Sequence, residues 1–447
     1  MLWDRGQSLN QRIARFTVGR DPELDLRLVA HDALASLAHG TMLAEIGVLA
    51  PEDLPPLRRE LAAIAKEARA GTFRIEAADE DSHTAIEKRL TERLGDVGRR
   101  IHTGRSRNDQ VIAALRLWGR ETLLEQLDGL LAVVRQLLAL AHEHAEVSLP
   151  GYTHTRQAMP STLGFLFAAH AENLLDDIPW LQTAWGHLDR SPLGSASGYG
   201  VALPLDRRRV AELLGFGEVQ SNTLAVQNDR GKTELLVLGA ALAIALDLGR
   251  LASDLIGFSS DELGFIRLAD EVTTGSSIMP QKRNPDVLEL IRAGAARLRS
   301  RHAEIASIYG PLTSGYHRDL QLTKEPFLEG MQGVADLLAA IQPVLATLKV
   351  DPQRCRAAIQ PATGATDAVY QRVAQGEPFR TVYREVAANP TAAIKGDPAE
   401  AWRHRTHQGA PGALDLGPSQ GEVEQAAAWL AAKVALLEGV WGLFGSG

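Results

Sequence analysis

Three short segments hold residues that together could remove a proton, deliver one and stabilise the charge that forms in between. The first is His102-Thr103-Gly104-Arg105-Ser106-Arg107-Asn108-Asp109-Gln110, which ends where a long apolar repeat begins, so Asn108 is expected to cap a helix. Two guanidinium groups beside unpaired helix N–H groups would grip a carboxylate, because the bidentate fork and the helix dipole act together. A solvated basic turn has the same composition. The second is Pro150-Gly151-Tyr152-Thr153-His154, with Pro160 near the expected start of the next helix. Its imidazole titrates near neutral pH and can move protons, although loop histidines also serve as plain hydrogen-bonding groups. The third is Gly275-Ser276-Ser277-Ile278-Met279-Pro280-Gln281-Lys282-Arg283-Asn284-Pro285-Asp286. Here Asn284 is expected as the N-cap and Pro285 as the first helical residue, with Lys282 as a fixed positive charge beside them. Negative charge developing on a bound molecule would be stabilised there. Gly275 and the paired serines suit a mobile lid, and a serine closed away from water beside cations could act as a base.

Long helices must position these loops. From Val111 to His142, apolar residues at 123, 127, 130, 134, 137 and 141 repeat at spacings of four and three, the signature of a helix. A second row at Leu124, Leu131 and Leu138 widens the apolar face to that of a bundle helix and implies a partner to cover it. Similar patterns run from about Pro160 to Asp189, Thr233 to Phe258, Pro285 to Tyr309 and Pro326 to Leu348, and no segment alternates convincingly with period two. An all-α chain is expected, in three regions: 1–104 with shorter helices, 105–350 as a central long-helix bundle carrying the loops, and 351–447 with short helices between Pro and Gly breaks. A helix from Asn108 to about His144 would separate Arg107 from His154 by roughly 50 Å, so one chain could not bring its own first and second loops together. An oligomer with sites built from several chains follows from that length.

Bulk composition removes several classes of function. The 47 Lys and Arg against 55 Asp and Glu give a net charge of -8, which opposes nucleic-acid binding. One cysteine, Cys355, forms no internal disulfide, and Asp4, Arg5, Gln7 and Asn10 interrupt any leader-like apolar run, so the cytoplasm is expected. The apolar stretch Leu235 to Leu246 is short of the ~18 residues that span a bilayer and reads as a buried core helix rather than a membrane segment. The 13 histidines form no HxxxH pairing with a matching carboxylate, and no nucleotide loop is present, so neither metal nor cofactor is expected.

The string GSSIMPQKRNPD resembles the signature of the fumarase and aspartase superfamily, whose members release fumarate from succinyl compounds. HTGRSRNDQ and PGYTH resemble its argininosuccinate lyase branch, and so do DSHTAIEKRL at 81–90, SPLGSASGYG at 191–200 and SGYHRDLQLTK at 314–324. The resemblance covers nearly the whole chain. It implies a trans β-elimination of argininosuccinate to arginine and fumarate, through a carbanion delocalised into the neighbouring carboxylate, in a homotetramer with shared sites.

By this resemblance Ser276 abstracts the proton, His154 is the acid or its relay, and Glu289 orients that imidazole, although which of Ser276 and His154 moves which proton stays open. Lys282 and Asn284 match positions that hold the carboxylate and stabilise its transition-state form. His83, Ser106, Arg107, Asn108, Thr153, Tyr316, Gln321 and Lys324 match substrate-binding positions, the last three on the arginine-like half. The chain departs from the family pattern at Thr155-Arg156-Gln157, at Ser197-Gly198-Tyr199, and at Asp21, where a substrate-contacting serine is common. These departures bear on how the amino-acid end is held. The alternatives are a lyase of the aspartate or adenylosuccinate type and a non-catalytic, crystallin-like relative. HTGRSRNDQ speaks against the former, and joint retention of Ser276, Lys282, Asn284, His154 and Glu289 against the latter.

Overall fold

The computed structural model describes residues 10–76, 78–394 and 396–445, so most of the segment read as lacking a leader lies outside the described residues. A short helix, α1 (Gln11–Val18), is followed by an N-terminal layer of α2 (Val29–Glu45), α3 (Leu54–Arg69) and α4 (Ser82–Leu94). Then comes α5 (Arg107–Glu143), unbroken for 37 residues and therefore about 55 Å long. A hairpin of β1 (Ser148–Thr153) and β2 (Arg156–Thr162) leads into α6 (Leu163–Asp176) and α7 (Ile178–Leu188). The bundle is completed by α8 (Lys232–Phe258), α9 (Asp286–Tyr309) and α10 (Lys324–Thr347), and α11 (Gly417–Trp441) packs back along α5.

The spacing of apolar residues on α5 explains its place. Leu123, Leu127, Leu130, Val134, Leu137 and Ala141 are fully buried against α6, α7, α10 and α11. The second row is buried too: Leu124, Leu131 and Leu138 are 5%, 0% and 6% exposed within one chain. That row therefore needs no second copy to cover it, which corrects the expectation above. A separate core under α2, α3 and α4 joins Ala113 and Leu117 of α5, so the rod ties both cores together.

Several local expectations are corrected. The hairpin was not legible because Pro150 faces Pro160 across it and a bulge falls between Gly151 and Tyr152, which together erase the alternation. Pro160 thus lies in β2, and the helix starts at Leu163 behind Thr162, whose hydroxyl accepts the Phe165 N–H. The expected helix from Pro160 to Asp189 breaks at Asp177, because Pro179 has no N–H to continue the ladder. The region after 351 contains the 25-residue α11 as well as short helices. The apolar run at Leu235 belongs to a 27-residue helix long and apolar enough to span a bilayer by composition alone; its packing against α7, α9 and α10 accounts for that apolarity, although Leu236 and Leu246 stay exposed.

Asn108 is not the cap of α5. Ser106 is: its hydroxyl accepts the Asn108 N–H at 3.3 Å, while Asp109 Oδ1 accepts the Ser106 N–H at 2.9 Å, closing a capping box. The other oxygen of Asp109 accepts N–H groups from Gly194 at 3.0 Å and Ala196 at 2.9 Å, fastening the 191–200 segment to the first loop. Asp109 is fully buried, and burial pushes its carboxyl up to about 6 against the three backbone donors that lower it. An acid with a raised folded-state pKa keeps its proton longer when folded, so this group's contribution to stability falls between pH about 4 and about 6 and is constant above. Asp109→Asn measured at pH 8 loses hydrogen bonds, since an amide oxygen replaces only one of the two acceptors, and also relieves part of the cost of the buried charge. The expected loss is roughly 1–3 kcal/mol by urea unfolding; an unchanged midpoint would remove Asp109 from its role as the fastener.

Candidate active site

The start of α5 gathers one group of the expected residues. His83, on the first turn of α4, is 4% exposed and its Nδ1 lies 2.5 Å from Asp32 Oδ2. Burial disfavours the charged ring, but Asp32, with Asp81 and Asp25 beyond it, raises its pKa above the ordinary histidine value. Arg107 meets Glu80 at 2.8 Å, Asp81 at 3.3 Å and the Thr84 hydroxyl at 3.3 Å. Arg105 does not share the expected carboxylate grip: it is buried and donates to Ser36 Oγ at 2.9 Å, because its position falls on the inner side of the turn. Asn108 stays half-buried beside Ser106.

Tyr316, Gln321 and Lys324 lie at this same end, near Gly231 and the start of α8. Lys324 is 1% exposed, with its ammonium 2.5 Å from Asp25 and 3.1 Å from Asp21. Gln321 donates to the carbonyls of Thr17 and Val18 at 3.0 and 3.2 Å, pinning the end of α1. Asp21, noted above as a departure from the family pattern, is therefore a partner of an expected binding residue.

The other two loops lie at the opposite end of the rod. His154 and Thr155 form the hairpin's two-residue turn with φ of 54° and 59°, a left-handed pair that matches strand twist. Thr153 and His154 are exposed at its tip. Gln157, another departure, holds the hairpin by donating to the Ala358 carbonyl at 2.7 Å and accepting the Gln360 N–H at 3.0 Å. Tyr199, in the remaining departure, is 78% exposed.

The third loop is closed by a two-residue antiparallel pairing of Thr274–Gly275 with Arg283–Asn284. This corrects the cap expected at Asn284: α9 begins at Asp286, with Pro285 just before it and no side chain capping it. Ser276 Oγ accepts N–H groups from Ile278 at 3.3 Å and Met279 at 3.1 Å, an arrangement that favours its anionic form. Lys282 and Glu289 are exposed.

Among the described residues no hydrogen bond or ion pair joins any two of the three loops. Ser276, His154, Glu289, Lys282 and Asn284 are not in contact with the group around His83 and Arg107, and α5 holds the two ends about 55 Å apart. Sequence reading passed over the buried acids Asp25, Asp32 and Asp109, as well as Arg230. The polar pair His31-Asp32 inside the apolar stretch Val29-Ala30 and Ala33-Leu34 was the available signal.

A family described as lyase matches residues 16–299. The argininosuccinate lyase of Sorangium cellulosum is 45% identical over 415 residues, covering 93% of this chain and 96% of the relative. That of Thermotoga neapolitana is 40% identical over 386 residues, covering 86% and 97%. Among solved structures, an EDDS lyase in complex with formate superposes with a TM-score of 0.82 at 22% identity, over 98% of this chain and 97% of that one. A class II fumarase from Schistosoma mansoni gives 0.71 at 15% identity, over 88% and 95%, so these two speak for the helical-bundle fold. Identity of this extent to the named enzymes places the chain in the argininosuccinate lyase family, within the wider lyase family.

Proposed function

We propose that this lyase cleaves argininosuccinate to arginine and fumarate in arginine biosynthesis, as a cytoplasmic homotetramer whose sites combine loops from different chains. The substrate assignment rests on the identity to argininosuccinate lyases over most of the chain. One observation carries the composite site: α5 is 37 residues long, and its ends bear different parts of the machinery. Neighbouring bundles packed antiparallel would set the Ser106-Arg107-Asn108 end of one chain beside His154 or Ser276 of others. Trp180, Leu236, Leu246 and Leu290, all exposed on the bundle, offer apolar area for such packing.

In this reading Ser276 takes a proton from the carbon beside the succinyl carboxylate. The two backbone N–H groups on its oxygen stabilise the alkoxide. The electron pair left on carbon delocalises into the carboxylate, where Lys282 and Asn284 balance the added charge. The carbon–nitrogen bond then breaks, the pair moves into the new double bond, and His154, oriented by Glu289, supplies the proton that the departing guanidine nitrogen needs. Ser106, Arg107, Asn108, Thr153 and His83 position the succinyl part; Tyr316, Gln321 and Lys324 face the arginine part.

Ser276→Ala should lower turnover by on the order of a thousandfold and leave calorimetric binding of argininosuccinate nearly unchanged. Retention of most of the wild-type rate would remove Ser276 from the chemistry. Fumarate, followed by ultraviolet absorbance, should appear from argininosuccinate and from neither aspartate nor adenylosuccinate; release from either of those instead would transfer the protein to a sister activity. For the composite site, inactive His154→Asn and Ser276→Ala proteins should regain activity when mixed, dissociated and reassociated. Asparagine tolerates the positive φ at 154, so the hairpin should survive the change. A fully active monomer in sedimentation would end the argument.

A further inference from the structure

The hairpin that carries His154 is poorly equipped to hold its own tip. Its middle rung sets Pro150 against Pro160, neither of which has an N–H to donate, and the register shifts at a bulge between Gly151 and Tyr152. Two rungs, Tyr152 with Gln157 and Thr153 with Arg156, lie between that bulge and the turn, where His154 and Thr155 both take positive φ. A two-stranded hairpin is marginal in water even with a complete ladder, so support must come from elsewhere.

It comes from partners 201 to 254 residues further along the chain. Gln157, three residues from His154, donates from Nε2 to the Ala358 carbonyl at 2.7 Å while its Oε1 accepts the Gln360 N–H at 3.0 Å. An amide can do both; a guanidinium could only donate there and a carboxylate only accept. Arg405, its side chain 16% exposed, grips Asp367 through Nε at 2.9 Å and Nη2 at 2.7 Å, which leaves Nη1 to donate to the Pro160 carbonyl at 2.6 Å. The bidentate pair fixes the plane of the guanidinium, and that plane fixes the strand it points at. At the foot of the hairpin, the buried Trp402 donates from Nε1 to the Ser148 hydroxyl at 2.9 Å. The hairpin is thus held near its tip, at its middle and at its base.

We propose that Gln157 and Arg405 are positioning residues for His154, and that residues 358–405 form a brace that holds the imidazole where the composite site needs it. This rests on His154 being the proton donor to the departing nitrogen. Neither residue has to touch the substrate, because each acts by limiting how far the turn can swing. The region after 351 contributes none of the residues assigned to the chemistry, and the brace gives it a part in the reaction.

Gln157→Ala and Arg405→Lys, the latter keeping a charge beside Asp367, should each lower kcat for argininosuccinate roughly tenfold or more with KM nearly unchanged, since a displaced proton donor costs rate and not ground-state affinity. Gln157 is only half-buried, so Gln157→Ala carries the test should Arg405→Lys fold poorly by circular dichroism. A loss that acts through His154 must also follow that residue between chains. Dissociated and reassociated with inactive Ser276→Ala protein, the Gln157→Ala chain should regain rate; with inactive His154→Asn protein it should not. Wild-type kcat in the variants, or recovery with both partners or with neither, would overturn the brace while fumarate release by the wild-type enzyme keeps the lyase reading. A His154→Asn protein that retains the wild-type rate would instead overturn the role of His154 on which the brace rests.

Discussion

An uninterrupted helix of 37 residues is a rigid ruler, and the placement of everything else follows from what is fastened along it. Two fully enclosed arginines on α5 do much of the fastening. Arg116 donates to the Arg190 carbonyl at 2.5 Å and pairs with Asp229 at 3.3 Å; Arg120 donates to the Leu214 and Gly215 carbonyls at 2.7 and 2.8 Å and pairs with Asp189 at 3.1 Å. The crossing segment from 189 to 230 is thereby set in register with the rod. Burial lowers the pKa of both guanidinium groups, yet both stay charged at neutral pH, and their backbone acceptors leave little choice of geometry. Gln126 adds a staple to the Met331 carbonyl of α10 at 2.6 Å.

The two ends of the ruler differ in electrostatic character. At the start of α5 the charges are buried and matched, as in Arg107 with Glu80 and Asp81, His83 with Asp32, and Lys324 with Asp25 and Asp21. A site built there is preorganised, because little reorganisation remains when a ligand arrives. At the far end Ser276, His154, Lys282 and Glu289 stand on exposed segments, where water weakens every charge interaction. The elimination proposed above needs these groups enclosed. Ile278 is 86% exposed and Met279 42% exposed on the Ser276 loop, apolar side chains that such an enclosure would bury.

Helices were legible wherever burial imposed a 3.6-residue repeat, as in α5, α8 and α9, whose limits fall within a few residues of expectation. Legibility failed where backbone chemistry overrides side-chain pattern. Pro179 divides a continuous apolar pattern, and α11 carries exposed apolar residues such as Val434 and Leu436 beside its one buried row, so no contrasting stripe announces it. The caps were misassigned for a related reason: Ser106 and Asn108 are both good caps, and the choice fell to Asp109, whose second oxygen is needed by Gly194 and Ala196 from 85 or more residues away. Motif strings located the loops but could not say which charges were already paired. Lys324 and Gln321 proved to be engaged with Asp21, Asp25 and the end of α1, a fact of three-dimensional packing with no trace in local sequence.

The hairpin shows how a strained element can serve the chemistry assigned to it. Two successive non-glycine residues in left-handed conformation cost about 1–2 kcal/mol each, and neither His154 nor Thr155 is the glycine that usually relieves such a turn. The strands cannot relax, because Gln157 is bound at Ala358 and Gln360, the Ser148 hydroxyl accepts from Trp402 Nε1 at 2.9 Å, and the Pro160 carbonyl accepts from Arg405 at 2.6 Å. Anchors on both strands thus offset the strain at the tip. A glycine at 154 would remove the strain along with the imidazole, so a histidine kept in this conformation is better explained by what its ring must reach than by the stability of the turn. His154 stands exposed at the tip of an anchored hairpin that follows the end of α5 opposite Arg107, as the proposed proton donation to a site on a neighbouring chain requires.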